Sequence, residues 1–254
     1  MASTVLIEIR DNVQIMTLDN PGARNAATRD MAEAMAAALD ALDEHPFVRI
    51  GILTGAGGTF CSGMDLKGFL QGNRPIVPGR GFCGLTQKPP RKPLIAAVEG
   101  HAVAGGFELA LACDLIVASR TARFALPEVK RGLVAVGGGL LRLPKRLPYH
   151  IAMECILTGE ELSAEKAHTQ GLVNRLVDPG QALAEALKLA LTVASNGPLA
   201  LAASKRVVQE SMDWPQAEMF ERQSSITAPI LASEDAREGA SAFAEKRPPI
   251  WKGV

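Results

Sequence analysis

Apolar residues recur along the chain with two periods, one near two residues and one near 3.6, and each period predicts a different element. Residues 4–10 (TVLIEIR) and 13–19 (VQIMTLD) are rich in β-branched and long aliphatic side chains, which favours strands. The pair Asp11-Asn12 lies between them, and two residues of this type are typical of a tight hairpin turn. The pattern therefore predicts a β-hairpin over these residues.

Helical spacing follows the hairpin and then gives way to short apolar strands. Thr28 precedes an apolar-periodic run over residues 29–45, which predicts a helix with Thr28 as its N-cap. Short strands are predicted at 48–55, 94–100, 114–119 and 123–126. The turn GHAVAGG opens a further helix, over the apolar run that ends at Cys113. Because strands and helices alternate, the predicted fold class is α/β.

Residues 71–93 are rich in glycine and proline, and they predict an irregular surface loop. Within this stretch, GRGFCG at 79–84 matches the G-x-G-x-x-G fingerprint of dinucleotide-binding proteins. That fingerprint needs a strand before it and a helix after it, whereas prolines flank this copy on both sides. We therefore interpret the match as coincidental.

From about residue 138 the pattern is almost wholly helical, with one break near 171–177 (GLVNRLV). Helical runs are predicted over 180–195, 198–212, 215–231 and 234–246. We predict an α/β core over residues 1–195 and a C-terminal helical segment over 196–254. A helical tail of this kind often docks between subunits, so we expect an oligomer.

The composition excludes several classes of protein. Among 254 residues, 27 Lys and Arg balance 27 Asp and Glu, and the pI is near 6.9. A nucleic-acid groove or an anionic membrane surface would favour a basic excess, and neither partner is expected here. We see no apolar stretch long and clean enough for a membrane span and no evident signal peptide, so we expect a cytoplasmic protein.

Metal and nucleophile motifs are also absent from the sequence. Its four cysteines are widely spaced and form no CxxC, which predicts reduced, mostly buried thiols rather than disulfides or a zinc site. The four histidines are scattered and form no H-E-x-x-H, so no metal site is expected. The sequence contains neither a P-loop nor G-x-S-x-G, so a nucleophilic serine is not indicated.

Two segments, GGTFCSGMDL and GHAVAGGFEL, share a design in which small residues lead from a strand into the start of a helix. The first turn of a helix carries unpaired backbone N–H groups and the positive end of the helix dipole, and glycine permits close approach of a ligand. Two such helix starts that faced each other would direct two N–H groups at one oxygen. That arrangement is an oxyanion hole, which stabilises negative charge as it develops on a carbonyl oxygen.

Glu108 and Glu128 are the candidate acid–base residues. Glu108 heads an apolar run that is otherwise suited to burial, and Glu128 follows Pro127 within FALPEVKRG. Two carboxyl groups in a partly apolar cleft can differ in proton affinity, so that one donates a proton and the other accepts one. The spacing alone leaves two simpler interpretations open, in which Glu108 is a helix N-terminal residue favoured by the dipole and Glu128 a solvated loop residue.

Six ordered segments carry a family resemblance, namely NPGARNA, GILTGAGGTFCSGMDL, KPLIAAVEGHAVAGGFELALACDLIVAS, ARFALPEVKRGL, AMECILTGEELSAEKAHTQGLVNRLV and EDAREGASAFAEKR. With these segments, the chain resembles the crotonase (enoyl-CoA hydratase/isomerase) superfamily along nearly its whole length. The resemblance implies an α/β fold built as a spiral of ββα turns, with a C-terminal helical segment for trimerisation. It also implies assembly as a homotrimer or as a dimer of trimers.

The resemblance implies a role for each candidate residue. Met64 and Gly105 would donate the two oxyanion N–H groups from the backbone, so the side chain at Met64 affects only the shape of the pocket. Hydratase-type members have a glutamate at each of the positions of Glu108 and Glu128, and both are present here. The implied activity is that of an enoyl-CoA hydratase, which adds water reversibly to a 2-enoyl-CoA through an enolate.

An acyl-CoA thioester is the substrate that the resemblance implies, with no metal and no redox cofactor. The implied contacts with the CoA portion are Ala23, Arg24, Met64, Asp65, Leu66 and Lys67. Phe243 and Lys246 match residues that a neighbouring subunit contributes to the same site.

Two departures from the common hydratase pattern concern the acyl pocket. Many hydratases have three glycines where this chain has Ala104-Gly105-Gly106, and AVGGG at 135–139 replaces P-G-A-G-G, which puts Val136 where glycine is common. The stretch LPEVKRGLV…GGGLLRLPKRLP also resembles the carnitinyl-CoA dehydratase-like branch. Double-bond isomerisation, dehydration of a hydroxyacyl-CoA and non-catalytic acyl-CoA binding are therefore alternatives, whereas the balanced charge disfavours RNA binding.

Overall fold

A computed structural model describes residues 4–254 of the chain. Its strands are β1 (Thr4–Arg10), β2 (Val13–Asp19), β3 (Ile50–Gly55), β4 (Ile76–Val77), β5 (Gly81–Phe82), β6 (Leu94–Val98), β7 (His101–Val103), β8 (Leu115–Ser119), β9 (Arg123–Ala125), β10 (Leu162–Ser163) and β11 (Arg175–Val177). Its α-helices are α1 (Arg29–Glu44), α2 (Leu66–Leu70), α3 (Gly105–Ala112), α4 (Gly139–Arg146), α5 (Tyr149–Thr158), α6 (Ala164–Thr169), α7 (Ala182–Ala194), α8 (Pro198–Glu210), α9 (Met219–Leu231) and α10 (Glu234–Glu245). The predicted α/β class is confirmed.

A six-stranded sheet in the order β1-β2-β3-β6-β8-β11 forms the centre of the fold. β1 and β2 are antiparallel, and Arg10 pairs with Val13 across Asp11 and Asn12, whose φ angles are 47° and 68°. Positive φ at both central residues is what this tight hairpin requires, so the predicted hairpin is confirmed. The other strand pairs in the sheet are parallel.

Helices cover both faces of this sheet, so its central strands are buried on both sides. On one face, Ala182, Ala186 and Ala190 of α7 pack against β-branched residues such as Ile52 and Val117. The alanines lie one helical turn apart, and their small side chains bring α7 close to the sheet. On the other face, α1 and α3 contribute to the larger apolar core. Each fully buried aliphatic side chain stabilises this arrangement by about 1.5–3 kcal/mol.

A second, three-stranded sheet in the order β10-β9-β7 determines where α3 begins. β6 belongs to the large sheet and ends at Val98, whereas β7 pairs in parallel with β9 and ends at Val103. Ala104 follows, and its N–H donates to the carbonyl oxygen of Ala125 at 2.8 Å. The N-terminus of α3 is therefore held by backbone pairing with a strand that comes later in the chain.

The structure differs from the prediction over residues 71–93. The sequence predicts an irregular surface loop there, but β4 and β5 form a small hairpin, and Cys83 and Leu85 are fully buried. Glycine and proline density identifies turns, but it does not show whether the apolar residues between them are buried. The prediction also misses β7, because three residues are too few to show a periodicity.

The predicted helical runs at the C-terminal end agree with α7, α8 and α10 to within a few residues. α9 is shorter than predicted and begins at Met219, because residues 216–218 form a 3-10 turn after Pro215. Thr28 is the N-cap of α1, as predicted, and its side chain accepts a hydrogen bond from the N–H of Met31.

α7 packs on the large sheet, whereas α8 is joined to the rest of the chain by Lys205. Its ammonium group donates to the carbonyl oxygen of Lys92 at 2.9 Å and to the carboxylate of Asp114 at 2.7 Å. The division of the chain after residue 195 falls between these two helices and stays a prediction.

Within residues 4–254, no single helix is both long enough and apolar enough to span a membrane. α7 and the helical stretch Pro198–Asp213 meet the length and composition test only as a pair, with a bend of 105° between them.

Candidate active site

Met64 lies in the turn between β3 and α2, and backbone hydrogen bonds hold both of its neighbours. The N–H of Ala27 donates to the Gly63 carbonyl oxygen at 2.7 Å, and the N–H of Asp65 donates to the Ala27 carbonyl oxygen at 3.0 Å. No hydrogen-bond acceptor for the N–H of Met64 is found among the described residues. This donor is therefore available to a ligand.

Gly105 is the first residue of α3, where an N–H group has no acceptor inside the helix. Ala104 before it has φ 53° and ψ −127°, a conformation that favours glycine. Ala104 adopts this conformation although it is not glycine, which costs about 1–3 kcal/mol of folding free energy. The departure at Ala104 therefore strains the backbone without removing the turn that aims the N–H of Gly105.

The two turns meet at glycines. A Cβ atom added to Gly63 would lie 3.3 Å from the nitrogen of Gly105 and 2.9 Å from the Cβ atom of Ala104. A Cβ atom added to Gly106 would lie only 2.1 Å from the carbonyl oxygen of Cys61. The backbones approach this closely because these positions lack side chains, and the approach places Met64 and Gly105 side by side.

A pocket of about 570 Å³ opens in front of both turns. Met64, Gly105, Glu108 and Glu128 all line it, so the structure brings the four predicted catalytic residues together. Apolar side chains form most of the remaining wall, among them Leu66, Phe69, Phe82, Leu133, Val134 and Val136. A mostly apolar wall with a few convergent polar groups is typical of a small-molecule site.

Glu108 lies in the first turn of α3 and is only 3% exposed. Its Oε1 accepts a hydrogen bond of 2.9 Å from the N–H of Gly139, the first residue of α4. Burial raises the pKa of Glu108 to about 7, with a further increase from the charge of Glu128, and hydrogen bonds from the backbone at Gly139 and Gly137 oppose this rise. Glu108 is thus a helix N-terminal residue, as one interpretation has it, but it is also a buried group poised to exchange a proton near neutral pH.

Glu128 lies in a 3-10 turn, Pro127–Arg131, and is half-buried. Within residues 4–254, its Oε2 is a buried side-chain oxygen without a hydrogen-bond partner. Burial raises the pKa of Glu128, and the charge of Arg131 opposes the rise. The interpretation as a solvated loop residue is therefore wrong, because this carboxyl group faces the pocket with an unpaired oxygen.

We expect the buried carboxyl of Glu108 to make the fold less stable at alkaline pH. Its pKa is about 7 in the fold and near 4.5 in the unfolded chain, so the contribution of this group to stability is fully present below pH 4.5 and is lost as the pH rises through 7. Relative to wild type, Glu108→Gln should gain up to about 3 kcal/mol in the free energy of unfolding between pH 4.5 and pH 8. Urea unfolding at the two pH values measures this gain.

The exposed Glu160→Gln is the matched control for this measurement, because Glu160 forms only a surface ion pair with Lys130. An equal pH dependence in Glu108→Gln and Glu160→Gln would contradict the prediction.

The loop that contains Ala23 and Arg24 lies beside the pocket. The carbonyl oxygen of Arg24 accepts from the N–H of Ser62 at 3.0 Å, and that of Ala23 accepts from its hydroxyl at 3.2 Å. Ser62, Met64 and Leu66 line the pocket, whereas Ala23, Arg24 and Asp65 are not among its lining residues. The side chain of Lys67 lies outside the described part of the chain.

Phe243 and Lys246 do not join this pocket within the described chain. Phe243 is on α10 and is highly exposed, and Lys246 ends that helix. Their predicted contribution to the site of a neighbouring subunit stays a prediction.

Sequence reasoning missed part of the pocket wall and the residues behind it. Phe82 and Gln87 line the pocket from the segment expected to be a surface loop. Arg142 stands behind Glu108 on α4 and donates to the Gly137 carbonyl oxygen at 3.4 Å. One signal was present in the sequence, because a single arginine in the apolar stretch GGGLLRLP is as unusual as the lone Glu108 in its own apolar run.

The four cysteines are buried, as predicted, and their reduced state stays a prediction. Among residues 4–254, no group of three or more histidine, cysteine, aspartate or glutamate side chains could hold a metal ion. The charged groups at the pocket are instead carboxylates and arginines.

Comparison with known proteins gives matches over nearly the whole chain. The family model described as enoyl-CoA hydratase/isomerase matches residues 8–254. Enoyl-CoA hydratase EchA19 of Mycobacterium tuberculosis is 42% identical over 258 residues, which cover 97% of this chain and 96% of that protein. Carnitinyl-CoA dehydratase of Salmonella typhi is 44% identical over 247 residues, 94% of each chain.

Among solved structures, enoyl-CoA hydratase EchA1 of Mycobacterium marinum superposes with a TM-score of 0.98 at 56% identity, over 100% of both chains. The predicted crotonase-like fold is therefore confirmed by a structure at high sequence identity.

Proposed function

Because the chain belongs to the enoyl-CoA hydratase/isomerase family, the crotonase superfamily, we propose that it is an enoyl-CoA hydratase that adds water reversibly to a 2-enoyl-CoA thioester. The observation that carries this proposal is the convergence of two backbone N–H donors and two carboxyl groups, one buried and one half-buried, on one largely apolar pocket. The comparisons support the same reaction class.

In the proposed mechanism, the thioester oxygen accepts hydrogen bonds from the N–H groups of Met64 and Gly105. Negative charge builds on this oxygen as the thioester becomes an enolate, and the two donors stabilise it without reorganising. Loss of one such donor typically raises the barrier by about 3–4 kcal/mol. The close packing of the two turns, through Gly63 and Gly106, keeps the donors in place.

Two carboxyl groups move the protons. The ionised carboxylate of Glu108 orients water and takes its proton while the oxygen bonds to the β-carbon. The π electrons of the double bond move into the enolate, and Glu128 then gives its proton to the α-carbon. Each transfer is worth roughly 10²–10⁴-fold in rate. In the hydration direction the productive form has Glu108 ionised and the proton on Glu128, and burial raises the pKa of both carboxyl groups.

The CoA portion is proposed to lie along the loop of Ala23 and Arg24 and the start of α2. A neighbouring subunit would add Phe243 and Lys246, which is why we propose a homotrimer or a dimer of trimers. Exposed apolar side chains on the C-terminal helices, such as Phe220 and Leu231, support such an assembly. We propose that no metal or redox cofactor takes part, since all proposed steps are proton transfers and oxyanion stabilisation. The cytoplasmic location stays a prediction.

The pocket has features for and against the carnitinyl-CoA dehydratase-like alternative. A carnitinyl group carries a trimethylammonium cation, which acidic or aromatic side chains would stabilise, and Phe69 and Phe82 line the pocket. The charged lining residues other than the two glutamates are Arg74 and Arg131, and these would repel a cation. Double-bond isomerisation also remains an alternative, and it would need only one of the two carboxyl groups.

We expect the purified protein to hydrate crotonyl-CoA or a longer or branched 2-enoyl-CoA to the 3-hydroxyacyl-CoA. The measurement is a panel of enoyl-CoA and hydroxyacyl-CoA esters, with products identified by mass spectrometry. A gain of the mass of water indicates hydration, whereas a product of unchanged mass with a shifted double bond indicates isomerisation. Tight binding of all esters without turnover would contradict the proposal and favour a non-catalytic acyl-CoA-binding protein.

A further inference from the structure

Arg142 lies behind Glu108, and the mechanism above does not use it. It is on α4, whose first residue, Gly139, donates the hydrogen bond to Glu108. The guanidinium group is half-buried and donates through Nη2 to the carbonyl oxygen of Thr86 at 2.6 Å. Through Nη1 it donates to the carbonyl oxygen of Gly137 at 3.4 Å. One side chain thus bonds to two segments that are far apart in the sequence.

One of these segments supports the oxyanion turn. The hydroxyl of Thr86 accepts a hydrogen bond from the N–H of Phe82 at 2.9 Å. The ring of Phe82 packs on Gly105 so closely that a Cβ atom there would lie 2.4 Å from its Cζ atom. The contacts of Arg142 therefore extend through Thr86 and Phe82 to the residue that provides an oxyanion donor.

The other segment supports the proposed base. The N–H of Gly139 donates a hydrogen bond of 2.9 Å to the Glu108 carboxylate, and the backbone of Gly137 also lowers the pKa of Glu108. A Cβ atom added to Gly137 would lie 2.5 Å from Oε2 of Glu108, so the loop packs directly on the carboxylate. Arg142 holds this loop by its bond to the Gly137 carbonyl oxygen.

Charge adds to these contacts. Among the groups that act on Glu108, the carboxyl of Glu128 opposes ionisation and the guanidinium of Arg142 favours it. Burial lowers the pKa of Arg142, and the Glu108 carboxylate and the Cys113 thiol act in the opposite direction. The charge of Arg142 lowers the pKa of Arg146, one turn further along α4, and Arg146 is not among the groups that act on Glu108.

We propose that Arg142 is a positioning residue, which holds the loop that packs on the Glu108 carboxylate and couples it to the segment that packs on Gly105. The inference rests on the proposed function, because it takes Glu108 as the base. A neutral residue at position 142 would remove the cation that favours the Glu108 carboxylate and would release the loop at Gly137. The protonated, inactive form of Glu108 would then persist to higher pH.

The test is the pH profile of kcat/KM for crotonyl-CoA in wild type, Arg142→Gln and Arg142→Lys, with Arg146→Gln as the matched control. Arg146 is on the same helix and also bonds to a carbonyl oxygen, that of Cys113, at 3.3 Å. In Arg142→Gln, we expect the acid limb to move up by about one pH unit, with a roughly tenfold loss at pH 7 that shrinks to about threefold at pH 9. Arg142→Lys and Arg146→Gln should keep the wild-type limb, because both retain the charge at position 142.

An acid limb that stays at the wild-type pH in Arg142→Gln would overturn the inference, as would an equal loss at every pH. Circular dichroism shows whether each variant is folded. If Arg142→Gln does not fold, Arg142→Lys alone is measured. An acid limb at the wild-type pH with a several-fold lower kcat in Arg142→Lys then supports a positioning role through the hydrogen bonds, whereas wild-type kinetics at all pH values oppose it.

A second measurement separates this inference from the proposed reaction. If wild type hydrates no enoyl-CoA, the proposed function fails, but the titration of Glu108 can still be followed by urea unfolding. The stability difference between wild type and Glu108→Gln stops growing at the pKa of Glu108 in the fold, and this plateau pH is compared with that of the pair Arg142→Gln and the double variant. A higher plateau pH in the Arg142→Gln background supports the coupling, and an unchanged one rejects it.

Discussion

Replacing Glu128 with glutamine is expected to lower kcat for hydration of crotonyl-CoA by about 10²–10⁴-fold, while KM changes little. Glutamine has nearly the same shape but cannot give a proton to the α-carbon. Since Oε2 of Glu128 has no hydrogen-bond partner among residues 4–254, the substitution breaks no hydrogen bond at that atom. The loss should therefore come from the missing proton and not from the fold. Initial rates at saturating and at low crotonyl-CoA separate kcat from KM.

Glu108→Gln is expected to cause a loss of similar size for a different reason. Its amide oxygen can still accept the hydrogen bond from Gly139, but an amide cannot take a proton from water. Because the two groups act in one reaction, the double variant should lose little more than either single variant. The exposed Glu160→Gln serves as the control that should retain wild-type rates. A fully active Glu108→Gln would eliminate the mechanism, and loss in only one of the two variants would favour isomerisation.

Replacing Gly106 with alanine is expected to reduce kcat by at least about 10²-fold and to destabilise the fold. The added Cβ atom would lie 2.1 Å from the carbonyl oxygen and 2.7 Å from the carbonyl carbon of Cys61. These are backbone atoms, which cannot relieve the clash by a change of side-chain rotamer. The two turns must then separate, which moves the N–H of Gly105 away from that of Met64. Loss of one oxyanion donor accounts for about 10²–10³-fold, and the overpacking adds about 1–3 kcal/mol of destabilisation. Steady-state kinetics and thermal unfolding measure the two effects.

Gly197→Ala is the matched control, because it adds the same methyl group at a position distant from this pocket. A Cβ atom there would make only an ordinary contact of 3.7 Å with Trp251, and the backbone angles of Gly197 suit alanine. We expect this variant to keep wild-type kcat and to change stability by less than about 1 kcal/mol, because alanine is less favourable than glycine at the N-cap of α8 but also restricts the unfolded chain. Wild-type kcat in Gly106→Ala would show that the contact between the turns does not position the donors.

The elements of the fold could be predicted well where the signal is local. The hairpin at Asp11 and Asn12, the N-cap at Thr28 and the helices after residue 180 follow from neighbouring residues, because turn and helix preferences act over a few positions. Short elements could not be predicted. β7 has three residues, and the hairpin of β4 and β5 lies in a stretch whose glycines and prolines suggest only turns.

The candidate site could be predicted in part. The two turns with small residues and the two glutamates stood out because each breaks the pattern around it. The spacing alone, however, left both glutamates open to simpler interpretations. The 3% exposure of Glu108 shows that its carboxyl group is buried. The unpaired Oε2 of Glu128 shows that this carboxyl group lies in the pocket wall and is not a solvated loop group. Both depend on which distant segments cover them.

The sequence by itself determined the class of the fold, the membership of a family and the identity of the groups that could react. These properties follow from local periodicity and from residue type, which do not depend on the three-dimensional arrangement of the chain. Only the tertiary structure decided that Gly106 lies against Cys61, that Gly139 bonds to Glu108 and Arg142 to Thr86, and that the loop near Phe82 forms part of the pocket. The physical reason is that proton affinity and donor geometry are set by contacts between residues 30 to 60 positions apart, which no local pattern records.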